Sequence, residues 1–376
     1  MNKRATLSEV ARRAGVGKAT ASRAFTEGAS VSVRTRDKVV RAANELNYYP
    51  SRLAKSLSTG RTRYIGLAFA YLDNPFYAEA VEKLTYRLQS EGYQVLLLMA
   101  WNDTPEEKEI VQQLLDYQVE GIITGSASIS SAIAARCSDS SIPIVMFNRD
   151  LLHQDLPAVT SDNYRGACAA TELLIRTGHT RIAHIAGWQQ ATTGIDRVRG
   201  FRDTMERAGL EPIGVIDAHF LKPLAEEATH ELMKAPTRPD AIFVGNDNMA
   251  VTVMDALRST YGVDVPNEVS IVGYDDTIFA RLHGYQLTTI RQPVNRMVDQ
   301  AVDLMQELIL HPHQKPPKKI VPASLVVGET VRGTGPTKLE PVKKVAELVG
   351  VEFTVCHLNE FEPIRKQSGA IRLKRI

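Results

Sequence analysis

Residues Thr6 to Phe25 read TLSEVARRAGVGKATASRAF, two short helix-forming stretches bent around Gly15. Thr6-Leu7-Ser8-Glu9 has the S/T-x-x-E form of a capping box, in which the Thr6 hydroxyl and the Glu9 carboxylate satisfy two amide donors at a helix start. A first helix therefore begins near Leu7. Leu7, Val10, Ala11 and Ala14 recur every three or four residues as one apolar stripe, with Arg12 and Arg13 off it. Gly15 supplies the turn and Val16 plugs the corner. A second helix over about residues 18–25 buries Ala21, Ala24 and Phe25. Ser32 caps a third helix whose inward face is Val39, Ala43 and Leu46. Three short helices in this order make a helix-turn-helix around one small core.

Charge gives that unit a direction. Residues 1–63 carry 14 Lys and Arg against 4 Asp and Glu, a net +10, whereas the whole chain of 376 residues, with 45 basic and 43 acidic side chains, is only +2. A helix-turn-helix with concentrated positive charge is built to place one helix in the major groove of double-stranded DNA. The start of the second helix then faces base edges, which singles out Gly17, Lys18, Ala19 and Thr20. Lys18 can donate to guanine acceptors and Ala19 can meet a thymine methyl. Arg23, one turn on, reaches a base or a phosphate. Thr6, Ser22 and Thr35 offer hydroxyls to phosphates, contacts that set register without reading sequence.

The remainder of the chain is long enough for one or two further domains of ordinary size. Three widely spaced cysteines, Cys137, Cys168 and Cys356, argue against a disulfide framework and for a reducing compartment. No apolar run follows the basic N-terminus and none approaches the roughly 18 residues of a membrane span, so the sequence predicts a cytoplasmic protein with no membrane partner. Paired Cys/His spacing, a P-loop, a dinucleotide fingerprint and a nucleophile elbow are all missing, which implies no metal, no cofactor and no catalytic centre.

From Tyr64 the period changes to short apolar strands alternating with longer amphipathic helices. YIGLAF (64–69), QVLLLM (94–99), GIIT (121–124), IPIVMF (142–147), IAHIA (182–186), AIFVG (241–245) and VSIVGY (269–274) form the series. One intervening helix shows Phe76, Ala80, Leu84 and Leu88 on a single face, and Thr104-Pro105-Glu106-Glu107 is a second capping box. Strict alternation of this kind implies parallel sheets covered on both faces. Ten or more strands are too many for one sheet, and the series divides near residues 148–161 into two lobes. Ligands in such sheets sit beyond the carboxyl ends of the strands, where the loops converge. Past Gly335 the pattern weakens to one helix-prone stretch (342–349) and a basic end (372–375), which favours a disordered tail over an oligomerisation element or an added contact surface.

In its order of parts and in several local strings the chain resembles the LacI/GalR family of bacterial transcription regulators. The strings are TLSEVARRAGV, the T-x-S-R at Thr20–Arg23, the TR-x-KV at Thr35–Val39, LNYYPSRLA (46–54), NPFY (74–77), RVRGF (197–201), NDNMA (246–250), VPNEVSIVGYDD (265–276) and LTTIRQP (287–293). They span roughly residues 4–333. The resemblance implies an N-terminal all-α headpiece (1–49), a hinge (50–60), a two-lobed, periplasmic-binding-protein-like α/β core with parallel sheets (61–335), and an extension of unknown role (336–376). It also implies a homodimer or homotetramer that binds an operator through paired headpieces and changes DNA affinity when a small-molecule effector enters the cleft, with catalysis no part of its role. By the same resemblance residues 51–58 become helical when two copies meet on DNA, and Leu57 wedges into the minor groove. Gly17 stands where the family often has Ser, and Ala21 where Val is usual, which weakens a cap and trims the headpiece core.

In the cleft, Arg197 and Asp275 form the leading pair, a guanidinium fork and a carboxylate on strand-end loops suited to vicinal hydroxyls or an acidic group. Asn246 and Gln292 add amides that both donate and accept. Phe76 and Phe220 supply an apolar wall for a sugar ring or a base. The family often has Asp where this chain has Asn148, and Arg149 follows it. Losing an acid and gaining a base there points toward a sugar acid or sugar phosphate, unless Arg149 pairs with Asp150 or Asp162. The competing reading is an α/β enzyme or a sugar-binding protein carrying an accessory arm. The first needs a catalytic constellation and the second an export signal.

Overall fold

The computed structural model describes residues 5–26, 28–49, 61–99, 112–125, 137, 141–150, 156–312, 314, 318–335 and 337–355. The chain divides into two compact units, Met1–Arg63 and Tyr64–Ile376. The Thr104–Glu107 capping box and residues 51–58, Leu57 among them, lie outside the described residues.

Among its described residues the first unit holds three helices: α1 (Leu7–Ala14), α2 (Lys18–Ala24) and α3 (Val33–Glu45). The Thr6 hydroxyl and the Glu9 carboxylate close both halves of the capping box, and Gly15 ends α1 in the left-handed region at φ 67°. Ser32 caps α3 by accepting from the Thr35 amide. Seven buried side chains among the described residues make the core, and five are alanines: Ala11, Ala21, Ala24, Ala42 and Ala43 beside Val10 and Val39. Leu7, Val16, Phe25 and Leu46 pack around them, half-buried. The Arg36 guanidinium donates to the carbonyls of Ala24 (2.6 Å), Thr26 and Ala29, closing the carboxyl end of α2.

In the second unit the chain runs β1 (Tyr64–Phe69), α4 (Pro75–Ser90), β2 (Gln94–Met99), β3 (Gly121–Thr124), β4 (Ile144–Phe147) and β5 (Ala158–Ser161). It continues as α5 (Asn163–Arg176), β6 (Ile182–Ala186), α6 (Thr192–Arg207), β7 (Gly214–Asp217), α7 (Lys222–Lys234), β8 (Ala241–Val244), α8 (Asp247–Asp255) and β9 (Ser270–Val272). The last elements are β10 (Thr289–Arg291), α9 (Val294–Leu310), β11 (Lys319–Val321), β12 (Ser324–Val327), α10 (Glu340–Val349) and β13 (Glu352–Val355). One lobe is a six-stranded parallel sheet ordered β11-β5-β4-β3-β1-β2. The other combines a four-stranded parallel sheet, β7-β6-β8-β9, with a three-stranded one, β10-β12-β13. The central strands are buried end to end, as sheets covered on both faces require.

The lobes do not separate at one point near residues 148–161, as the strand series suggests. Strand β5 stays in the first sheet, and the chain crosses between lobes three times, at β5/α5, β10/α9 and β11/β12. Helix α9 returns to the first lobe because Val298, Ala301, Val302, Met305 and Leu308 cover that sheet's inner cluster. The crossings are tied to one another: the Ser161 hydroxyl donates to Gln292 Oε1 at 2.7 Å, and the Asp162 amide donates to the Val321 carbonyl.

Over residues 338–355 the expected disordered tail is instead folded. Val342 and Val345 of α10 are buried in the second lobe's core, α10 ends at Gly350 in the left-handed region, and β13 pairs in parallel with β12. The local signal is weak because a ten-residue helix is marginal alone, and its burial depends on a surface contributed by distant residues. No helix among the described residues is long and apolar enough to cross a membrane.

Candidate functional site

Two surfaces concentrate the residues singled out from sequence. On α2, Ala21 and Ala24 face the core while Lys18, Ala19, Ser22 and Arg23 are exposed and Thr20 is half-buried, so one helix face presents a cation at each end with short side chains between. Thr6 is exposed at the start of α1. The half-buried Thr35 hydroxyl lies 2.8 Å from that of Ser32. Gly17 is the N-cap of α2 and offers it no side-chain acceptor. Its backbone, φ −71° and ψ 151°, suits serine, and no atom lies within 4 Å of an added Cβ. Gly17→Ser is therefore expected to raise the headpiece's unfolding midpoint by about 1–3 °C, read by circular dichroism.

The second surface is a cavity of about 410 Å³ in the two-lobed unit, within the range of small-molecule sites. Phe76, Asn148, Arg149, Arg197, Phe220, Asn246 and Asp275 all line it. They arrive from α4, from the loops after β4, β7, β8 and β9, and from α6. Gln292 does not line it. That residue sits behind the wall, where its Nε2 donates to Asp275 Oδ1 at 2.7 Å and its Oε1 accepts from Ser161, so it joins the cavity to the lobe crossings.

Arg197, 2% exposed, is held on every side. Its Nε donates to Asn163 Oδ1 (2.9 Å), Nη1 to the Gly245 carbonyl (2.5 Å), and Nη2 faces Asp275 Oδ1 at 3.6 Å. The guanidinium also lies 3.6 Å from the centroid of the Tyr274 ring, a close cation–π contact. Asn246 caps α8 by accepting from the Met249 amide through Oδ1 and lines the cavity. Asn148 Nδ2 donates to the Tyr77 hydroxyl, while its Oδ1 is buried with no partner among the described residues. Gly187 is needed where Phe220 passes, since a Cβ there would sit 2.0 Å from the ring. Tyr71, Asn148, His219, Phe220 and Asp275, five of the eleven non-glycine residues with positive φ among those described, line this one cavity. Backbone held in such sparsely populated regions gathers where function requires a loop geometry that packing alone would not choose.

Burial pushes the Asp275 carboxyl up to about 6, against the opposing pull of Arg197, of the Gln292 and Asn74 amides and, more weakly, of Arg149. Its neighbour Asp247, fully buried under the same loop, is raised well above the usual carboxylate range by burial and by Asp275. The native state thus binds a proton at Asp275 more tightly than the unfolded chain does. The contribution of this group to stability is greatest below about pH 4 and is lost as pH rises to about 6. Asp275→Asn removes that loss, so its stability relative to wild type is expected to climb by about 1.4 kcal/mol per pH unit between 4 and 6. Urea unfolding of both proteins at several pH values reads the difference, and a flat difference contradicts it.

Sequence reasoning missed Tyr77, Trp188 and Asn248 in the wall. Trp188 follows β6 and Asn248 lies in the first turn of α8, and nothing local distinguishes them from core or capping residues.

The chain matches the bacterial regulatory proteins, lacI family, over residues 6–51 and the periplasmic binding protein-like domain over 171–331. It is 34% identical over 313 residues to the ribose operon repressor of Escherichia coli (strain K12), covering 82% of this chain and 94% of that one. The chain belongs to the LacI family. It resembles the lac repressor dimer bound to operator and the anti-inducer ONPF with a TM-score of 0.77 at 27% identity, covering 87% of this chain and 99% of that one. The CelR–cellobiose complex gives 0.66 at 31% identity, covering 87% and 100%. As a LacI-family member the protein is a DNA-binding transcriptional regulator that acts in the cytoplasm, and its role is control of transcription, not catalysis.

Proposed function

We propose that a homodimer of this chain represses transcription by gripping an operator with paired headpieces, and that a small polyhydroxylated effector in the 410 Å³ cavity sets the grip. The observation that carries this reading is the path from Arg197 and Asp275 through Gln292 to Ser161, which couples the cavity wall to the points where the chain changes lobe. A ligand that prefers one lobe arrangement shifts the population toward it, and operator affinity follows by linkage. Donors on Arg197 and Asn246 and the acceptor on Asp275 match vicinal hydroxyls, and Phe76 and Phe220 offer ring faces to a sugar's C–H groups.

On the DNA side, the exposed face of α2 supports base contacts from Gly17, Lys18, Ala19, Thr20 and Arg23, with Thr6, Ser22 and Thr35 on phosphates. A minor-groove wedge by Leu57 belongs to the same proposal and lies outside the described residues. The relatives agree in kind: one is a ribose operon repressor, and one solved neighbour is a dimer on operator DNA. Fluorescence anisotropy with duplex DNA, at several salt concentrations and with and without candidate sugars, tests it. Affinity is expected to fall steeply with salt and to change when a sugar that stabilises the protein is added. Duplex affinity that no stabilising ligand alters counts against the reading.

A further inference from the structure

Arg149 stands at the end of β4, 5% exposed, lining the same cavity as Arg197 and Asp275. The acids nearest it in sequence, or expected to pair with it, are paired elsewhere, and Asp73, exposed on the same cavity, makes no ion pair with it. The Asp150 carboxylate meets Lys318 Nζ at 2.6 Å, Asp162 lies 3.7 Å from Arg165 and caps α5, and Asp275 faces Arg197. No carboxylate lies within ion-pair distance of Arg149 among the described residues, and its Nε is buried with no acceptor. Tyr77 and Phe220 stand at 5.7 and 5.6 Å from the guanidinium, near the outer limit of a cation–π contact, and supply no counter-charge.

Asp275 feels the charge of Arg149 but is in direct contact with Arg197, so among the described residues Arg149 is buried without an ion-pair or hydrogen-bond partner of its own, a costly state that a bound oxyanion would relieve. The planar guanidinium fork fits the paired oxygens of a carboxylate or a phosphate. Among the buried lining residues two arginines therefore stand against one carboxylate, beside amides, hydroxyls and aromatic faces, while the exposed Lys222 and Asp73 offset one another. Resting on the effector reading above, we infer that the effector is a polyhydroxylated anion, a sugar acid or a sugar phosphate, whose oxyanion is bound by Arg149 while its hydroxyls meet Arg197, Asp275 and Asn246.

The test is calorimetric titration of the full-length protein and of Arg149→Gln with matched series of five- to seven-carbon sugars. Each series holds a neutral sugar, its acid and its phosphate, for example glucose, gluconate and glucose 6-phosphate, with inorganic phosphate as a further probe. One anionic member is expected to bind the wild type at least about 30-fold more tightly than its neutral partner, the value of a charge-assisted contact. In Arg149→Gln that advantage should shrink to within about threefold. Preference for the acid or for the phosphate names the source of the charge. Without ligand, Arg149→Gln should unfold at the same temperature as wild type or higher, since it removes a buried charge. The inference is overturned if a neutral sugar binds as tightly as its anionic partners, if no anion binds, if the advantage survives the substitution, or if the unliganded variant is markedly less stable. A neutral sugar that binds and shifts operator affinity would overturn the anionic effector alone. Ligands that bind without moving operator affinity would instead refute the effector reading.

Discussion

Replacing Arg197 with alanine is expected to abolish the response to effector and to cost the second lobe about 3–5 kcal/mol at neutral pH. The side chain answers three separate demands: it bonds Asn163 at the head of α5, closes the Gly245 carbonyl after β8, and supplies the counter-charge to Asp275. Removing it leaves Asp275 buried without its ion-pair partner, with only the Gln292 and Asn74 amides and the more distant Arg149 to favour its charge. That carboxyl already titrates at about 6 with Arg197 in place, so part of the penalty is relieved as it takes up a proton, and the loss should be smaller at pH 5 than at pH 8. Combining Arg197→Ala with Asp275→Asn should recover stability without recovering the response. Urea unfolding at the two pH values, beside anisotropy titrations with and without a stabilising ligand, separates the two effects. A single variant that keeps a ligand-dependent change in operator affinity would remove Arg197 from the proposed site.

Val39→Asp is expected to eliminate binding to DNA while leaving ligand affinity within about twofold of wild type. Val39 is one of only two branched side chains among the seven that form the headpiece core, and it is fully buried. A core made mostly of alanine removes little apolar surface from water, and so small a unit is marginal to begin with. An ionised carboxylate placed there has no partner, and the penalty exceeds the stability available. The two lobes keep their own clusters, built on α4 and α9 in one and on α5, α6, α7 and α8 in the other, so their unfolding transition should not move. Retention of duplex affinity at low salt, or parallel loss of ligand binding, would show that the two units do not stand apart energetically.

The legible features were those written within a few residues of one another. The capping box at Thr6, the turn at Gly15, the stripe of Val10 and Ala11, and the helix carrying Phe76, Ala80, Leu84 and Leu88 follow from local hydrogen bonding and from the 3.6-residue period. Strands with continuous apolar runs, YIGLAF and IAHIA among them, are legible for the same reason. The shorter pieces are not: Ala158–Ser161, Gly214–Asp217, Thr289–Arg291 and Lys319–Val321 have three or four residues each and mixed character. Their strand conformation comes from neighbours already in the sheet, because at that length a backbone has no intrinsic preference strong enough to show.

The site divides along the same line. Chemical type was readable from the chain: a guanidinium, a carboxylate, amides and aromatic rings at the ends of strands. Which of these share a cavity, and which stands behind the wall as Gln292 does, depends on three lobe crossings and on β-strands paired across more than a hundred residues. The isolation of Arg149 is of that second kind, since Asp150 and Asp162 are its neighbours by number or by expectation yet turn to Lys318 and Arg165. Sequence period reflects contacts one helical turn or one strand pair away, and it settled the headpiece, the α/β alternation and the sign of its charge. Ion pairing, burial and the folding of residues 338–355 onto the second lobe are settled by partners distant in the chain, and those partners meet only once the sheets have closed.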